Sequence, residues 1–360
     1  MANPFRRAYK RLHFETKRCL LANRYYNWYV FSRELTRIWD EKLQKHYPVK
    51  EEQLGANAQH KKEERKLVIT ICNGWIENGG WADRLKGILS TYMLCQEMGA
   101  DFRIHFVHPF NLDRFLAPNT YDWYIKETEI HYSQPAATPV ALEIGADSPY
   151  QAKKQKQWLK ERIERAQGTQ VHVYTNAMFS YLGDYSKAFH ELFRPTDELQ
   201  KAIDNQIQVL GDKYVSVSAR FLGALGDFQD TTQGEQLPDK EKERLIDACI
   251  KQIEHIHSIH PTQKILVNSD SHTFLSYADK LPYTYIVAGN ILHFDTSRND
   301  IAEEKIYQTY EKTFLDFFLI ANASDIYRLK TRWMHSKMKK LPLLRIKQHS
   351  KQALPQKIMR

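Results

Sequence analysis

The sequence is poor in cysteine, and what it has does not gather. Cys19, Cys72, Cys95 and Cys249 lie far apart, and no Cys-x-x-Cys occurs. This argues against a disulfide framework and against a zinc knuckle. They read as small apolar residues, with Cys72 closing a strand and Cys95 and Cys249 on helices. An apolar run of about 18 or more residues is also missing, so no transmembrane helix is expected. The opening Met-Ala-Asn-Pro-Phe-Arg-Arg lacks the roughly 7–15-residue apolar core of a signal peptide, so a cytoplasmic protein is expected. No repeat or low-complexity tract stands out. Neither a Gly-x-Gly-x-x-Gly nor a Walker loop is present.

Acidic residues are absent from 328–360, which hold 11 Lys/Arg. Residues 1–66 hold 16 Lys/Arg against 8 Asp/Glu, and with the whole chain at +9 the middle carries −10. An acidic body with basic ends is not the pattern of a nucleic-acid binder, so no nucleic acid is expected as a partner. Basic ends can hold a protein to anionic lipid at about 1 kcal/mol per Lys or Arg near the surface. They can equally be solubilising tails.

What the chain does contain is 360 residues, 42% of them hydrophobic, enough for two domains with real cores. Residues 1–46 read as helical, with Phe5, Tyr9 and Leu12 on one face and Tyr25, Trp28 and Tyr29 on another. That aromatic face could pack on the body, on another copy or on a lipid interface. Residues 47–65, with Pro48 and Gly55, read as a linker. A first strand–helix pattern follows. Leu67–Cys72 is a buried strand, Ala82–Met98 a helix with Leu85, Ile88, Leu89, Tyr92 and Met93 as its stripe, and 102–107 and 171–175 are strands. A charged helix lies near 150–167.

A second pattern opens near Gly211. Tyr214–Ala219 and Lys264–Ser269 read as strands and 285–288 as another. Residues 239–257 form a helix with Leu245, Ile246, Cys249, Ile253 and Ile256 inward, and 301–321 a helix with a Tyr/Phe face. Alternation of strand and helix, twice over, predicts two Rossmann-like doubly wound α/β domains facing a cleft. The expected division is a basic helical extension and linker at 1–65, domains at 66–205 and 206–340, and a basic tail at 341–360.

Several residues stand where such a fold does chemistry. The turn at Gly79 and Gly80 follows a strand and precedes a helix, so its backbone can approach an anion. The alternative is a tight turn, with Asp83 capping the helix and Arg84 in a surface ion pair. Arg220 lies just past the end of the first strand of the second domain, where α/β sheets bind ligands. An arginine there can grip a diphosphate with two parallel bonds, as lysine cannot. The alternative is a pair with Asp227. Ser269 and Asp270 end another strand and suit a ribose or base, unless Asp270 or Ser271 caps a helix. Hydroxyls in the segment from Asp316 through Ser324-Asp325 to Ser336 could hold phosphate, or simply cap. Among His255, His257 and His260, only the last two could share a helix face, and Pro261 works against even that. No metal site is expected. His293 and Asp295 could form a site or a plain loop.

With these elements in order, the sequence resembles the fucosyltransferase superfamily, in particular bacterial polysaccharide-locus members with a Gly-Gly-x-Ala/Gly-Asp-Arg turn. Here that turn is Gly79-Gly80-Trp81-Ala82-Asp83-Arg84. The run from Phe110 to Pro118, followed by Tyr121-Asp122-Trp123, is similar to that group. So are Gly226-Asp227-Phe228, Ser269-Asp270, Gly289 to His293, and Asp316 with Ser324-Asp325. The family's His-x-Arg corresponds to Ser218-Ala219-Arg220, with serine in place of histidine. The closing Ser-rich phosphate element is replaced by a stretch in which Thr331 and Ser336 are the substitutes. The likeness spans roughly 67–340.

The resemblance implies a GT-B-like fold and inverting transfer of L-fucose from GDP-fucose to a glycan hydroxyl in surface polysaccharide biosynthesis. The donor would bind the second domain and the acceptor, a glycan or lipid-linked oligosaccharide, would enter from the first. Gly79, Gly80, Arg84, Arg220, Ser269, Asp270, His293, Asp316, Thr331 and Ser336 would form the donor site. Arg220 would stabilise the leaving diphosphate, without a cofactor or metal, and Asp83 and Asp227 are the candidate acceptor bases. The two departures leave open another nucleotide sugar, or a glycan-binding relative without activity. A cytoplasmic enzyme, peripheral on the inner membrane face through its basic ends, is the expected setting.

Overall fold

The computed structural model describes residues 37–49, 65–142, 149–178, 183–227, 236–292, 294, 301–329, 331 and 343–346. Residues 1–36, most of the expected linker and most of the basic tail lie outside them. The chain packs as two compact units. One holds the described residues up to Asn78, with Asp83–His105 and Tyr124–Gly183. The other holds Gly79–Ala82, Phe106–Trp123 and the described residues from Asp184 onward.

The first unit is built on a four-stranded sheet of order β2-β1-β5-β4, comprising β1 Leu67–Cys72, β2 Asp101–Phe106, β4 Ala137–Leu142 and β5 Gln170–Thr175. β1 and β4 both run parallel to the central β5. Parallel strands buried on both faces read as continuous apolar runs, and five of the six residues of β1 are buried. β4 was not legible as a strand, because Pro139 interrupts its pattern. Its edge position tolerates a residue without an N–H.

Helix α1, Trp81–Met98, follows β1 and buries Leu85, Ile88, Leu89 and Tyr92. Its approach to the sheet depends on Gly87, where a Cβ would stand 1.9 Å from the Thr175 carbonyl oxygen. Backbone cannot yield as a flexible side chain does. Gly87→Ala is therefore expected to destabilise by about 2–3 kcal/mol, seen as a lowered urea midpoint. An unchanged midpoint would mean that the helix can slide off β5 freely. On the other helix, α2 (Pro149–Arg165), the last carbonyls are gathered by one side chain. Lys66 Nζ donates to the oxygens of Ile163, Glu164 and Ala166 at 2.7, 2.7 and 2.8 Å. A cation at a helix C-terminus also complements its dipole.

Residues 37–44 are helical, and here the expected extension joins the body. Trp39, Leu43 and Tyr47 are buried with Ile69, Ile71 and Tyr174, and Arg162 donates to Asp40 at 2.8 Å. Tyr47, expected to lie in a linker, is instead core. Its hydroxyl is satisfied inside the protein, 2.7 Å from His172 Nδ1 and 2.9 Å from the Tyr174 hydroxyl.

The second unit carries a five-stranded sheet of order β11-β10-β7-β8-β9, comprising β7 Tyr214–Ala219, β8 Lys264–Ser269, β9 Thr284–Tyr285, β10 Asp325–Leu329 and β11 Leu343–Ile346. β10, β7, β8 and β9 pair in parallel and β11 is antiparallel to β10. Helix α5, Asp239–Ile259, buries Leu245, Ile246, Cys249, Ile253 and Ile256 against Val215, Val217, Ile265 and Val267. Burial pushes the Cys249 thiol up to about 12, which suits an inert apolar residue.

The packing departs from a cut at residue 205. Residues 106–123 and 184–205 go with the second unit. Strands β3 (Leu116–Pro118) and β6 (Phe193–Pro195) pair antiparallel and tie these segments together. Helix α4 (Asp197–Leu210) packs against α7 (Glu303–Asn322). Phe115 stacks on Phe314 of α7, with centroids 4.3 Å apart. Aromatic burial drives this exchange, because it outweighs proximity in sequence. Among the described residues no helix is long and apolar enough to cross a membrane.

Candidate functional site

Topology picks out one place at the carboxyl end of the second sheet. From β7 the chain moves through α5 to β8 and through α6, His272–Ala278, to β9, always to the same side. Helix α7 then returns it to β10 on the other side of β7. The switch point of this sheet therefore lies between β7 and β10, and ligands of open α/β sheets bind at the carboxyl ends of strands at such a point.

Three candidate residues meet there. Arg220 follows β7, Asp270 follows β8, and Thr331 lies two residues past β10. Register puts the strand ends level, with Ala219 opposite both Ser269 and Leu329. The Thr331 hydroxyl donates to the Arg220 carbonyl oxygen. Both oxygens of Asp270 accept backbone bonds from the turn after Arg220. Phe221 N–H donates to Oδ1 at 2.7 Å and Leu222 N–H to Oδ2 at 2.9 Å. Arg220 Nε lies 3.9 Å from Asp270 Oδ2, and the arginine side chain is 58% exposed while the aspartate is 11% exposed. Burial raises the Asp270 carboxyl above its ordinary value, opposed by the two amides and by the Arg220 charge. Leu222 has φ 52°, a left-handed conformation uncommon for a bulky side chain and strained by about 1–3 kcal/mol.

Asp227 is not the partner of Arg220. Its Oδ2 accepts from the Ser271 hydroxyl at 2.8 Å and from Thr273 N–H at 2.6 Å. Ser271 is the N-cap of α6 and accepts from Phe274 N–H. Asp227 thus reinforces that cap. Burial works to raise its carboxyl, but the hydrogen bonds from Thr273 and Ser271 together hold it below the ordinary range. Ser269 Oγ accepts from Ser271 N–H at 3.2 Å.

Asp316 sits on α7 with Lys312 one turn before it, the nitrogen 3.0 Å from Oδ2. Lys312 also donates to the Val287 carbonyl at 2.8 Å. Sequence reasoning missed Lys312, although an acid and a base four apart on a helix is a readable pairing. Asp316 Oδ1 is buried without a hydrogen-bond partner among the described residues. Burial raises this carboxyl and Lys312 opposes the rise.

The β1–α1 turn and the first turn of α1 carry the remaining candidates. Gly79 has φ 79°, a conformation glycine adopts freely, whereas a Cβ on Gly80 would meet nothing within 4 Å. Asp83 pairs with Lys86 at 2.9 Å. Arg84 is 1% exposed, so it is not a surface ion-pair residue. His293 and Ser336 lie outside the described residues. The histidines of α5 go separate ways. His257 stacks on Tyr283 at 3.6 Å, and His260 Nε2 lies 2.8 Å from the Tyr327 hydroxyl. Among the described residues no three His, Cys, Asp or Glu side chains group as metal ligands would.

No protein-family model matches the sequence, and no curated protein matches it. Solved structures do. A NodZ α-1,6-fucosyltransferase soaked with GDP-fucose is similar at TM-score 0.50 and 11% identity, over 78% of this chain and 99% of that one. NodZ from Bradyrhizobium is similar at TM-score 0.49, with 10% identity over 79% of this chain and 99% of that one. Arabidopsis thaliana FUT1 in complex with GDP is similar at TM-score 0.44, with 10% identity over 81% and 72%. At such identities a likeness speaks for fold. The chain has an α/β fold with parallel sheets, like that of the NodZ fucosyltransferase.

Proposed function

We propose that this chain is a glycosyltransferase that takes a sugar from a nucleotide diphosphate sugar, GDP-fucose by first choice, and passes it with inversion to a glycan hydroxyl. One observation carries the reading. A solvent-facing arginine stands at the switch point of a parallel sheet, on a turn held from two neighbouring strand ends. In sugar transfer from such a donor, negative charge develops on the leaving diphosphate. A guanidinium presented to that charge is electrostatic catalysis, stronger in the transition state than in the ground state. The fold likeness to NodZ supports the donor class.

Asp83 and Asp227 remain the candidate acceptor bases. Asp83, in the first turn of α1 and paired with Lys86, is freer to act than Asp227, whose Oδ2 carries two bonds. Surface polysaccharide as the acceptor class, a cytoplasmic setting and attachment to anionic membrane through the basic ends belong to the same proposal. So does transfer without metal.

The test is calorimetric titration of GDP, GDP-fucose and two other nucleotide sugars into the full chain, with and without EDTA. Binding of GDP and GDP-fucose in the micromolar-to-millimolar range usual for enzyme substrates, unchanged by EDTA, is the expected result. Tighter binding of a different nucleotide would move the donor assignment to it. Failure of every nucleotide to bind a folded chain would favour the inactive glycan-binding reading.

A further inference from the structure

We propose that Asp270 is a positioning residue: its carboxylate fixes the turn that presents Arg220, and it acts on the donor through that arginine rather than by touching the nucleotide. The inference rests on the reading of Arg220 as the diphosphate-gripping residue. Three observations carry it. First, both carboxylate oxygens are already committed to backbone amides of the Arg220 turn, at 2.7 and 2.9 Å. Second, Asp270 is the buried member of its pair with Arg220, with its side chain 11% exposed against 58% for the arginine. Third, the turn holds Leu222 at φ 52°, a conformation that persists only where the surroundings over-determine it.

The rest of the loop is tied in the same direction. At its far end Asp227 binds Ser271 and Thr273, so residues 220–227 are fastened at both ends to the β8–α6 turn. In the middle, Leu237 N–H donates to the Ala224 carbonyl at 2.9 Å. On the other side Thr331 holds the Arg220 carbonyl. Two reciprocal carboxylates therefore set the path of the loop, and the guanidinium is its exposed product. An asparagine at 270 could accept from only one of the two amides, and its own NH2 group would face the other.

The test is a double-mutant cycle read by GDP affinity, with backbone exchange measured beside it. Asp270→Asn is expected to weaken GDP by about tenfold in the parent chain and by less than about twofold when Arg220 is already alanine, because contacts that act through one another do not add. Amide exchange at Phe221 and Leu222 should quicken in Asp270→Asn. An equal loss of affinity in both backgrounds would show direct contact with the nucleotide and overturn the proposal, as would unchanged exchange at the two amides.

Should Asp270→Asn fail to fold, the parent chain decides the matter. On acidification the amide proton shifts of Phe221 and Leu222 are expected to move together, in one transition above the ordinary aspartate range. Independent movement would overturn the proposal. If the parent chain binds no GDP, the donor reading falls. Exchange and titration then decide alone whether Asp270 holds the turn.

Discussion

Arg220→Ala is expected to abolish transfer and to weaken GDP binding by about 10²-fold while leaving the protein folded. The loss of rate follows from the environment, and GDP, which carries the leaving diphosphate's charge in full, loses the same bonds. Removing a single fixed donor that faces developing negative charge costs roughly 10²–10³ in rate, and a guanidinium can offer two such bonds at once. The fold should survive because the ties of this turn are made by backbone. Thr331 binds the Arg220 carbonyl, and Asp270 binds the amides of Phe221 and Leu222, none of which alanine removes. The ion pair lost is a long one at 3.9 Å, made by an arginine side chain that is 58% exposed. Pairs of that kind contribute about 0–1 kcal/mol.

Arg220→Lys separates charge from geometry. Lysine keeps the positive charge but offers a point donor in place of a planar fork, so it is expected to recover only part of the GDP affinity. Full activity in Arg220→Ala, with a folded chain, would remove the donor assignment. Equal activity of the lysine and arginine forms would mean that charge alone matters here.

Local pattern told most about the segments that pack locally. Tyr214–Ala219 and Lys264–Ser269 alternate or run apolar between breakers, and the strands occupy those residues. The stripe of Leu245, Ile246, Cys249, Ile253 and Ile256 is the buried face of α5. Segments whose partners are remote were less legible. Tyr185–Leu192 and Asp197–Leu210 are helices that sequence reading passed over; the carbonyls of Glu191 and Leu192 hold the amides of residues 119–121, and the second helix packs on α7. β9 is only Thr284–Tyr285, and past it the Val287 carbonyl is taken by Lys312.

At the candidate site, residue type pointed to Arg220, but not to what holds it. That a strand-end aspartate binds amides about fifty residues earlier is a property of tertiary register. Nothing about leucine announces a left-handed backbone. Arg84 is the opposite lesson, a basic residue that charge alone would put at the surface and that the fold buries.

Acid is expected to weaken the first unit through His172. The ring is fully buried, and its surroundings assign its tautomer. Gln170 Nε2 donates to the Glu129 carbonyl, so Gln170 Oε1 is the acceptor that faces both His131 N–H and His172 Nε2. Nε2 therefore carries the hydrogen. Nδ1 is bare and accepts from the Tyr47 hydroxyl, which in turn accepts from Tyr174. A second proton on the ring would oppose the Tyr47 hydroxyl hydrogen. Burial, with the nearby His105 and His131, pushes the imidazole down to about 3.

His105 is also lowered by burial, with the Glu127 carboxylate opposing, and contributes in the same sense. In the unfolded chain a histidine binds its proton near 6.5. Between there and the folded value the unfolded state holds more protons, so stability falls as pH falls through that window. The slope is about 1.4 kcal/mol per pH unit for His172 alone, accumulating on the order of 5 kcal/mol over the whole window. Urea unfolding at steps from pH 7 to pH 4 should show that decline, and His172→Gln should flatten it by about one proton's worth while lowering stability at pH 7. Parallel curves for the two proteins would mean that His172 takes up its proton as readily in the folded chain as in the unfolded one, and that the Tyr47 hydroxyl does not hold it neutral.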